Sequence, residues 1–466
     1  MAKAYRFPSY EDVCRDFEVV CDGVSLDVIS CRVSAVPFNQ PWPGYQRPLD
    51  QTELSWFTSL DSDGEVTLTV TPTRSFERVV VRPLSKKVTP EVSGGTVTVT
   101  LPGPGQYSVE FDGIHHVLTV FVNPEKDFSI DKDDPDVLYF APGVHTFDKP
   151  ISLDSNQTLY LERGAVIRGG ISAKNKKNIS VLGYGIIDNG VLDRGKGLAI
   201  SISSCENVRV EGITIVDSNE WSMHFPACEN VIVDNIKLIG MWRYNSDGCD
   251  FTNCQNAIIR NSYLRNYDDC IVIKGLLWNP QKPILNILAE NCVLWCDWGR
   301  AMEIGAETSA PSFNGVRFQN IDVIHGDSVM MDIQHGDRAN IFNISFEDIR
   351  CEYQTPWQRG VMQSAPDEVY VNPDEAVMPV LAAIQTVYSA YTQDSQTGSI
   401  YNVSYKNIQV FTDDGRMPPS VFRANVEGTE IVGVDIEEVY LNGKRLDTVD
   451  DFNIVAFEGV NEMTFK

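Results

Sequence analysis

The sequence predicts an all-β protein in which an antiparallel β-sandwich precedes a parallel β-helix. Short runs of β-branched residues recur after residue 131 at intervals of 23 to 31 residues, with one interval of double length. Such a period is typical of one supersecondary unit that stacks on the next. The first 130 residues instead alternate polar and apolar positions between turn clusters, which is typical of a small sandwich.

The N-terminal sandwich is predicted from about residue 16 to residue 125. Its strands include Glu65–Val70 and Thr96–Leu101, and Gly, Pro and Asp clusters punctuate them. The stretch from Asn123 to Pro135 is polar and rich in turn residues. It predicts a boundary that gives a sandwich domain at 1–130 and a β-helix domain at 131–466.

The repeat consists of an Asn, or a Gly at two positions, followed by an apolar residue. Because the runs are short and no 3.6-residue stripe lies between them, a parallel β-helix fits better than a helical solenoid. At a turn, each Asn is expected to stack on its equivalents and to satisfy backbone groups, which is a structural role. The repeat positions are Asn178, Asn207, Asn230, Asn256, Asn286, Gly315, Asn343, Asn402 and Gly433.

Composition limits the partners. With 64 acidic and 38 basic residues the net charge is -26, so the overall field repels nucleic acid and anionic membrane surfaces and disfavours a polyanionic substrate. The eleven cysteines lie in apolar runs rather than in metal-spaced pairs, so reduced core thiols are expected. Together with the lack of a secretory leader, they favour a soluble cytoplasmic protein. No metal or other cofactor is expected.

Three carboxylates recur in short β-type runs about one coil apart. Asp247 lies in an Asn-Ser-Asp-Gly-Cys-Asp motif, and Asp268 follows 21 residues later with Asp269 beside it. An Asp-Gly pair alone is often a turn, but adjacent carboxylates next to an apolar run cost energy unless one pKa is raised. Converging carboxyls can supply a neutral acid that protonates a glycosidic oxygen and an ionised partner that activates water.

These motifs resemble a known family. The pattern Asn-x-Asp-Gly-x-Asp, followed by Asp-Asp-Cys-Ile-x-Ile-Lys, is similar to polygalacturonase-type glycoside hydrolases of family 28. The stretch from Ser218 to His224 resembles the family's Ser-Pro-x-Trp-x-x-His, with Asn219 in place of proline. The sandwich ahead of the helix resembles the related family 49 of dextranases and isopullulanases. The resemblance covers residues 135 to 350 and implies a right-handed parallel β-helix.

Carried over position by position, the resemblance implies that Asp268 is the general acid and that Asp247 and Asp269 hold the attacking water. It also implies inversion of configuration. A separation of one coil, roughly 4.8 Å, is shorter than the roughly 6.5–9.5 Å usual for inverting enzymes. Inversion is therefore predicted from the resemblance alone.

Departures from the family pattern bear on the substrate. Arg300 stands at the family's histidine position, and Asp332 and Gln334 stand where the family has an arginine and a lysine that grip a uronate carboxylate. Asp and Gln suit neutral hydroxyls, so a neutral sugar is expected rather than galacturonate. Arg300 could bind an anion, but we expect it to pair with Asp269 or Glu303 and to shape their ionisation.

The remaining candidates each have a structural alternative. Trp221 could stack on a pyranose ring or belong to the core, and His224 and His335 could contact substrate or be structural. The predicted substrate-binding residues are Asn245, Trp221, His224, Arg300, Glu303, Lys274, Asp332, Gln334 and His335.

The repeat breaks between residues 351 and 399, where Trp357, Tyr370, Tyr388 and Tyr391 occur. A loop excursion of this length predicts a wall or lid over the binding groove.

Several functions remain open. The sequence favours an exo-acting, inverting hydrolase of a neutral oligosaccharide, since only short sugars would reach a cytoplasmic enzyme. The alternatives are a polygalacturonase-type hydrolase of a uronate-containing pectic oligosaccharide, a polysaccharide lyase or epimerase, and a non-catalytic carbohydrate-binding β-helix. The expected partner is an oligosaccharide, not nucleic acid or a membrane. The sugar, the linkage and the choice between monomer and homo-oligomer stay open.

Overall fold

The computed structural model describes residues 3–7, 10, 12–14, 16–34, 39–41, 49, 52–353, 361–363 and 377–466. These residues form β-strands, together with the 3-10 helices Leu84–Lys86 and Asp450–Phe452. Across these ranges we find no helix with the length and apolar character needed to cross a membrane.

The N-terminal strands form two packed sheets, one of seven strands and one of five. Their pairing is antiparallel, except that Thr52–Asp61 and Val117–Asn123 run parallel. Alternate residues point into a shared apolar core, as in Val66–Pro72. The other strands are Lys3–Ala4, Val13–Cys14, Phe17–Cys21, Val24–Ser25, Val28–Ser34, Val79–Arg82, Glu91–Ser93, Thr96–Leu101 and Gly105–Phe111.

From Val137 onward the strands stack in parallel into a β-helix, which confirms the predicted fold. One face is an eleven-stranded sheet. Its strands are Ile151–Ser152, Ile171–Lys174, Ile200–Ser203, Met223–Pro226, Cys249–Thr252, Ile271–Gly275, Arg300–Thr308, Val329–His335, Val380–Thr386, Ser420–Ala424 and Ile454–Glu458.

The remaining faces form one continuous twenty-stranded sheet, because some strands bend around a corner. Its strands are Val137–Phe140, Gly143–Thr146, Thr158–Leu161, Ala165–Arg168, Lys177–Gly183, Ile186–Asp188, Glu206–Glu211, Thr214–Val216, Glu229–Asp234, Lys237–Leu238, Gln255–Arg260, Tyr263–Asn266, Ile284–Glu290, Val293–Cys296, Ser312–Gly326, Asn340–Tyr353, Ile400–Thr412, Ile431–Leu441, Lys444–Arg445 and Val460–Phe465.

The repeated asparagines form the predicted ladder at a turn. Asn207 Nδ2 donates to Asn178 Oδ1 at 3.0 Å, and Asn230 Nδ2 donates to Asn207 Oδ1 at 3.1 Å. Each has a positive φ near 57°, and the two glycine repeat positions, Gly315 and Gly433, also have a positive φ. Because Asn and Gly both tolerate this left-handed conformation, glycine can replace asparagine in the repeat.

The interior of the β-helix is apolar and includes most of the cysteines. All eleven are free thiols, and only Cys14 is not fully buried. This agrees with the expectation of reduced core residues.

The sandwich packs against the side of the β-helix through apolar residues and a buried ionic network. Arg82 Nε donates to Glu110 Oε2 at 2.9 Å, and its Nη1 contacts Glu352. His325 Nε2 lies 2.5 Å from Glu110 Oε1. Two residues of the sandwich are therefore tied to two of the β-helix.

The predicted insertion at 351–399 is shorter than expected. Asn340–Tyr353 and Val380–Thr386 are ordinary strands of the coil, and Val361–Gln363 pairs with Asn39–Pro41. Trp357 and Tyr370 lie outside the described residues.

Candidate active site

The predicted catalytic residues lie on two turns of the β-helix, each just ahead of a strand of the eleven-stranded sheet. Cys249 pairs with Ile271, and Gly248 N donates to Asp269 O at 2.7 Å. Asp247 therefore stacks on Asp269 rather than on Asp268. A Cβ at Gly248 would collide with the carbonyl of Cys270, which explains the Asp-Gly of the motif.

Asp247, Asp268 and Asp269 line one cavity of about 200 Å³. Five of the predicted substrate-binding residues line it as well, namely Asn245, Trp221, Arg300, Glu303 and Lys274. A larger cavity of about 440 Å³ lies between sandwich and β-helix. That second cavity does not contain the convergent carboxyls, so we place the chemistry in the first.

Asp268 and Asp269 lie side by side above Gly299. A Cβ at Gly299 would be 2.6 Å from Asp268 Oδ1 and 2.5 Å from Asp269 Oδ1. Because Asp268 Oδ1 and Asp269 Oδ1 both lie within 2.6 Å of this one point, the distance between them is shorter than the roughly 6.5–9.5 Å that separates the two carboxyls in inverting enzymes. Residue 299 must lack a side chain for both carboxyls to reach the cavity.

The pKa values of these two neighbouring carboxyls are shifted in opposite directions. Burial, reinforced by Asp269, raises the pKa of Asp268 to about 7. Burial also opposes ionisation of Asp269, but the Arg300 guanidinium and the Lys274 ammonium outweigh it and hold the pKa of Asp269 below its usual range. The backbone N–H of Arg300 donates to Asp269 Oδ1 at 2.8 Å. Below about pH 7 the site thus holds a protonated acid beside a carboxylate.

Asp247 shares a cation with Asp250. Lys274 Nζ lies 3.0 Å from Asp247 Oδ2 and 3.4 Å from Asp250 Oδ1. Burial raises the pKa of both carboxyls despite this ammonium, that of Asp250 to about 7. Asp247 and Asp269 are predicted to share one role, but the opposite shifts of their pKa values make Asp269 the more readily ionised of the two.

Arg300 contacts a set of acidic groups, as expected from the sequence. Its Nη1 lies 3.8 Å from Asp269 Oδ1, and its Nε lies 3.9 Å from Glu303 Oε1 and 3.5 Å from Asp332 Oδ2. Its Nη2 donates to Gln334 Oε1 at 3.1 Å. The guanidinium is therefore surrounded by acidic protein groups, and its hydrogen bond to Gln334 fixes one of its ends.

Asp332 and Gln334 do not line the cavity. Both face outward on the strand Val329–His335, but they contact Arg300. Their predicted contact with sugar hydroxyls stays a prediction, while the contacts that the structure shows are with Arg300.

The two histidines do not line the cavity either, so the structure gives no support to their predicted substrate contacts. The side chain of His335 is buried on the core side of the strand, and Nδ1 lies 2.8 Å from Thr308 Oγ1. His224 faces outward, but its ring packs edge-on against Trp221 and its Nε2 lies 3.0 Å from Thr252 Oγ1. Burial lowers the pKa of His224 to about 3, so the imidazole is neutral.

Aromatic residues form part of the cavity wall. Trp221 is half-buried, and its ring centroid lies 4.4 Å from Lys274 Nζ. Tyr244 and Tyr391 also line the cavity, so the described end of the predicted wall segment does reach the site. Glu220, which the sequence analysis did not identify, lines it too.

Comparison with known proteins adds independent support. Residues 187–355 match the model for glycosyl hydrolases family 28. The predicted resemblance to family 28 is confirmed for this segment. The family 28-like segment contains all three predicted catalytic carboxyls, together with Arg300 and the ion-pair and hydrogen-bond partners named above.

Curated relatives agree but are distant. A probable polygalacturonase of Vitis vinifera is 22% identical over 296 residues, covering 53% of this chain and 59% of that protein. A probable polygalacturonase of Arabidopsis thaliana is 26% identical over 147 residues, covering 31% of this chain and 30% of that protein. The chain thus matches less than two thirds of the length of either relative.

A solved structure matches the whole architecture. Dex49A from Penicillium minioluteum aligns over 97% of this chain and 94% of its own, with a TM-score of 0.63 and 14% sequence identity. This similarity shows a shared fold, sandwich and β-helix together.

Proposed function

We propose that the protein is an exo-acting O-glycosyl hydrolase of neutral oligosaccharides. Asp268 is the general acid, and Asp269 with Asp247 holds and activates water. One observation carries the proposal: two adjacent carboxyls line one cavity, and their pKa values are driven apart. This is the division that acid-base cleavage of an acetal requires.

The proposed reaction uses one water. Asp268 donates its proton to the glycosidic oxygen as the bond from that oxygen to the anomeric carbon breaks. Asp269 accepts a proton from the water, whose oxygen bonds to the anomeric carbon. Asp247 Oδ1 has no hydrogen-bond donor among the described residues, which leaves it free to accept from the same water.

The charges around the cavity favour a neutral substrate. Its lining includes Glu220, Glu303 and Glu307 in addition to the three aspartates, against Lys274 and Arg300. Both cations already contact carboxyls of the protein. A uronate would therefore add an anion to a pocket whose two cations each already lie within 4 Å of protein carboxyls.

The size of the cavity supports exo action on short chains. At about 200 Å³ it is smaller than the roughly 300–1,000 Å³ typical of sites for drug-sized ligands. Such a pocket encloses the end of a glycan more readily than its middle. A cytoplasmic location would suit short substrates and stays a prediction.

Stereochemistry separates two versions of this mechanism. The resemblance predicts inversion, in which water attacks directly. The short spacing of Asp268 and Asp269 is instead typical of retaining enzymes, in which the second carboxylate attacks the sugar. Proton NMR of the first-formed anomer distinguishes them: the opposite anomer supports inversion, and the original anomer would make Asp269 a nucleophile.

The test of the function compares wild type with Asp268→Asn on a panel of neutral oligosaccharides, aryl glycosides and polygalacturonate. We expect wild type to release reducing sugar from a neutral substrate and the variant to lose at least about 100-fold in kcat. Asp154→Asn, an exposed carboxyl on a distant coil, is the matched control. Efficient cleavage of polygalacturonate would contradict the neutral substrate, an unsaturated product would indicate a lyase, and binding without cleavage would indicate a non-catalytic protein.

A further inference from the structure

Glu303 occupies an unusual position in the cavity wall. It lies on the strand Arg300–Thr308, between Val272 and Asp332 of the neighbouring coils. Its neighbours in the strand, Met302 and Ile304, are in the apolar core, so Glu303 faces outward. It lines the cavity and yet is only 1% exposed.

Three buried carboxyls surround a single guanidinium at this point. Asp269, Glu303 and Asp332 all lie within 4 Å of Arg300 nitrogens. If all three were ionised, the cluster would carry two uncompensated negative charges out of water. The cost of burying such charges is several kcal/mol each, so at least one carboxyl retains a proton.

Glu303 is the carboxyl with the fewest partners. Neither of its oxygens has a hydrogen-bond donor among the described residues, whereas Asp269 accepts from the backbone of Arg300. Two carboxylates only accept hydrogen bonds, so Glu303 and Asp269 can bond only when one of them carries a proton. Burial, together with the charge of Asp269, raises the pKa of Glu303 well above its usual range. Glu303 and Asp269 line the same cavity and both lie within 4 Å of Arg300 nitrogens. After Arg300 and Lys274, a hydrogen bond from a protonated Glu303 is a further cause that lowers the pKa of Asp269.

We propose that Glu303 is a positioning residue that keeps a proton and donates it in a hydrogen bond to Asp269, holding Asp269 ionised and oriented toward water. The catalytic consequence rests on the proposed function, but the protonation of Glu303 does not. A protonated Glu303 can donate a hydrogen bond to Asp269 without adding negative charge to the pocket. The pocket can therefore hold several carboxyls close together and still suit a neutral substrate.

The charged groups around Glu303 and Asp269 limit which carboxyl of the cluster can hold the proton. From the same strand comes Arg300, from the next coil Asp332, and from the preceding coil Lys274, which acts on Asp269. The pKa of Asp332 is raised to about 6, chiefly by burial. At pH 8 Asp332 is therefore expected to be ionised, and the proposal requires Glu303 to hold its proton at this pH.

The first test is the pH dependence of kcat for Glu303→Gln and Glu303→Leu. The glutamine amide can still donate to Asp269, so the acid limb of the kcat profile of Glu303→Gln should stay within a few tenths of a pH unit of wild type. Leucine cannot donate, so the pKa of Asp269 should rise, the acid limb should move up by about one unit, and kcat should fall roughly tenfold. An acid limb that is the same in both variants, or a glutamine variant as impaired as leucine, would overturn the proposal.

The second test needs no substrate. Infrared difference spectroscopy at pH 8 detects the C=O stretch of protonated carboxylic acids. Glu303→Gln should remove one such band, and Asp332→Asn, the control in the same cluster, should remove none. If Glu303→Gln leaves the bands unchanged, the inference is wrong even if the enzyme hydrolyses a sugar. If the band disappears but no sugar is cleaved, only the proposed function fails.

Discussion

Asp268 and Asp269 are adjacent in sequence and share the space above Gly299, yet the pKa of Asp268 is raised and that of Asp269 is lowered. Burial and the negative charge of Asp269 raise the pKa of Asp268 although Arg300 and Lys274 oppose them, whereas for Asp269 the same two cations outweigh burial. The next coil of the β-helix contributes to the difference, because the backbone N–H of Arg300 donates to Asp269.

This relationship predicts a pH profile. Hydrolysis requires Asp268 to be protonated, so kcat/KM should fall as the pH rises through about 7. It also requires Asp269 to be ionised, and because the pKa of Asp269 is lowered, the acid limb should lie below the usual range of an aspartate. Initial rates measured between about pH 4 and 9 give both limbs. A rate that increases through pH 7 would exclude Asp268 as the acid.

Gly299 should be intolerant of a side chain. In Gly299→Ala the new Cβ would lie 2.6 Å from Asp268 Oδ1 and 2.5 Å from Asp269 Oδ1. Displacement of reacting groups by about 1 Å costs roughly 100-fold in rate, so we expect kcat to fall by this factor.

Gly64→Ala is the matched control, because a Cβ at Gly64 meets nothing within 4 Å. Thermal unfolding of both variants separates a local effect on the carboxyls from loss of folding. If Gly299→Ala keeps full activity, catalysis does not require the Asp268 and Asp269 carboxyls to occupy the space above residue 299.

The sequence predicts those features that depend on local rules. The Asn ladder follows from turn chemistry, and Asp332 and Gln334 face outward by the two-residue period of a strand. The same period places His335 on the core side, with Ile333, so the burial of this side chain also follows from a local rule. The roles of Glu303 and Gly299 depend on which turn of one coil lies against the next. The spacing of two residues along the sequence does not predict which turns of neighbouring coils come into contact.

The buried network between sandwich and β-helix should make stability depend on pH. Burial opposes ionisation of Glu110, but His325 and Arg82 outweigh it and lower the pKa of Glu110 from 4.5 to about 2. Because the folded pKa is lowered, this carboxylate contributes stability that is present above pH 4.5 and is lost as the pH falls toward 2.

Glu110→Gln leaves Arg82 with one partner fewer and should cost about 3–5 kcal/mol in the free energy of unfolding at pH 7. Urea titrations at pH 7 and at about pH 3 should show that the difference from wild type shrinks in acid. Glu77→Gln, an exposed carboxyl of the same domain, should change neither value. A constant difference at both pH values would show that Glu110 does not titrate as the network implies.

The Asn ladder separates two contributions to the stability of the coil. Asn207 combines a φ of 59° with side-chain hydrogen bonds to Asn178 and from Asn230. Asn207→Gly keeps the left-handed turn but removes the amide, whereas Asn207→Ala loses the amide and also strains the backbone. We expect glycine to cost about 1 kcal/mol and alanine about 1–2 kcal/mol more, measured by urea unfolding. Equal losses would mean that the amide stack, rather than the backbone conformation, selects asparagine. The glycine at position 433 argues for the opposite result, because it keeps only the conformation, whereas next to Gly315 the amide of Asn314 still accepts from Asn343.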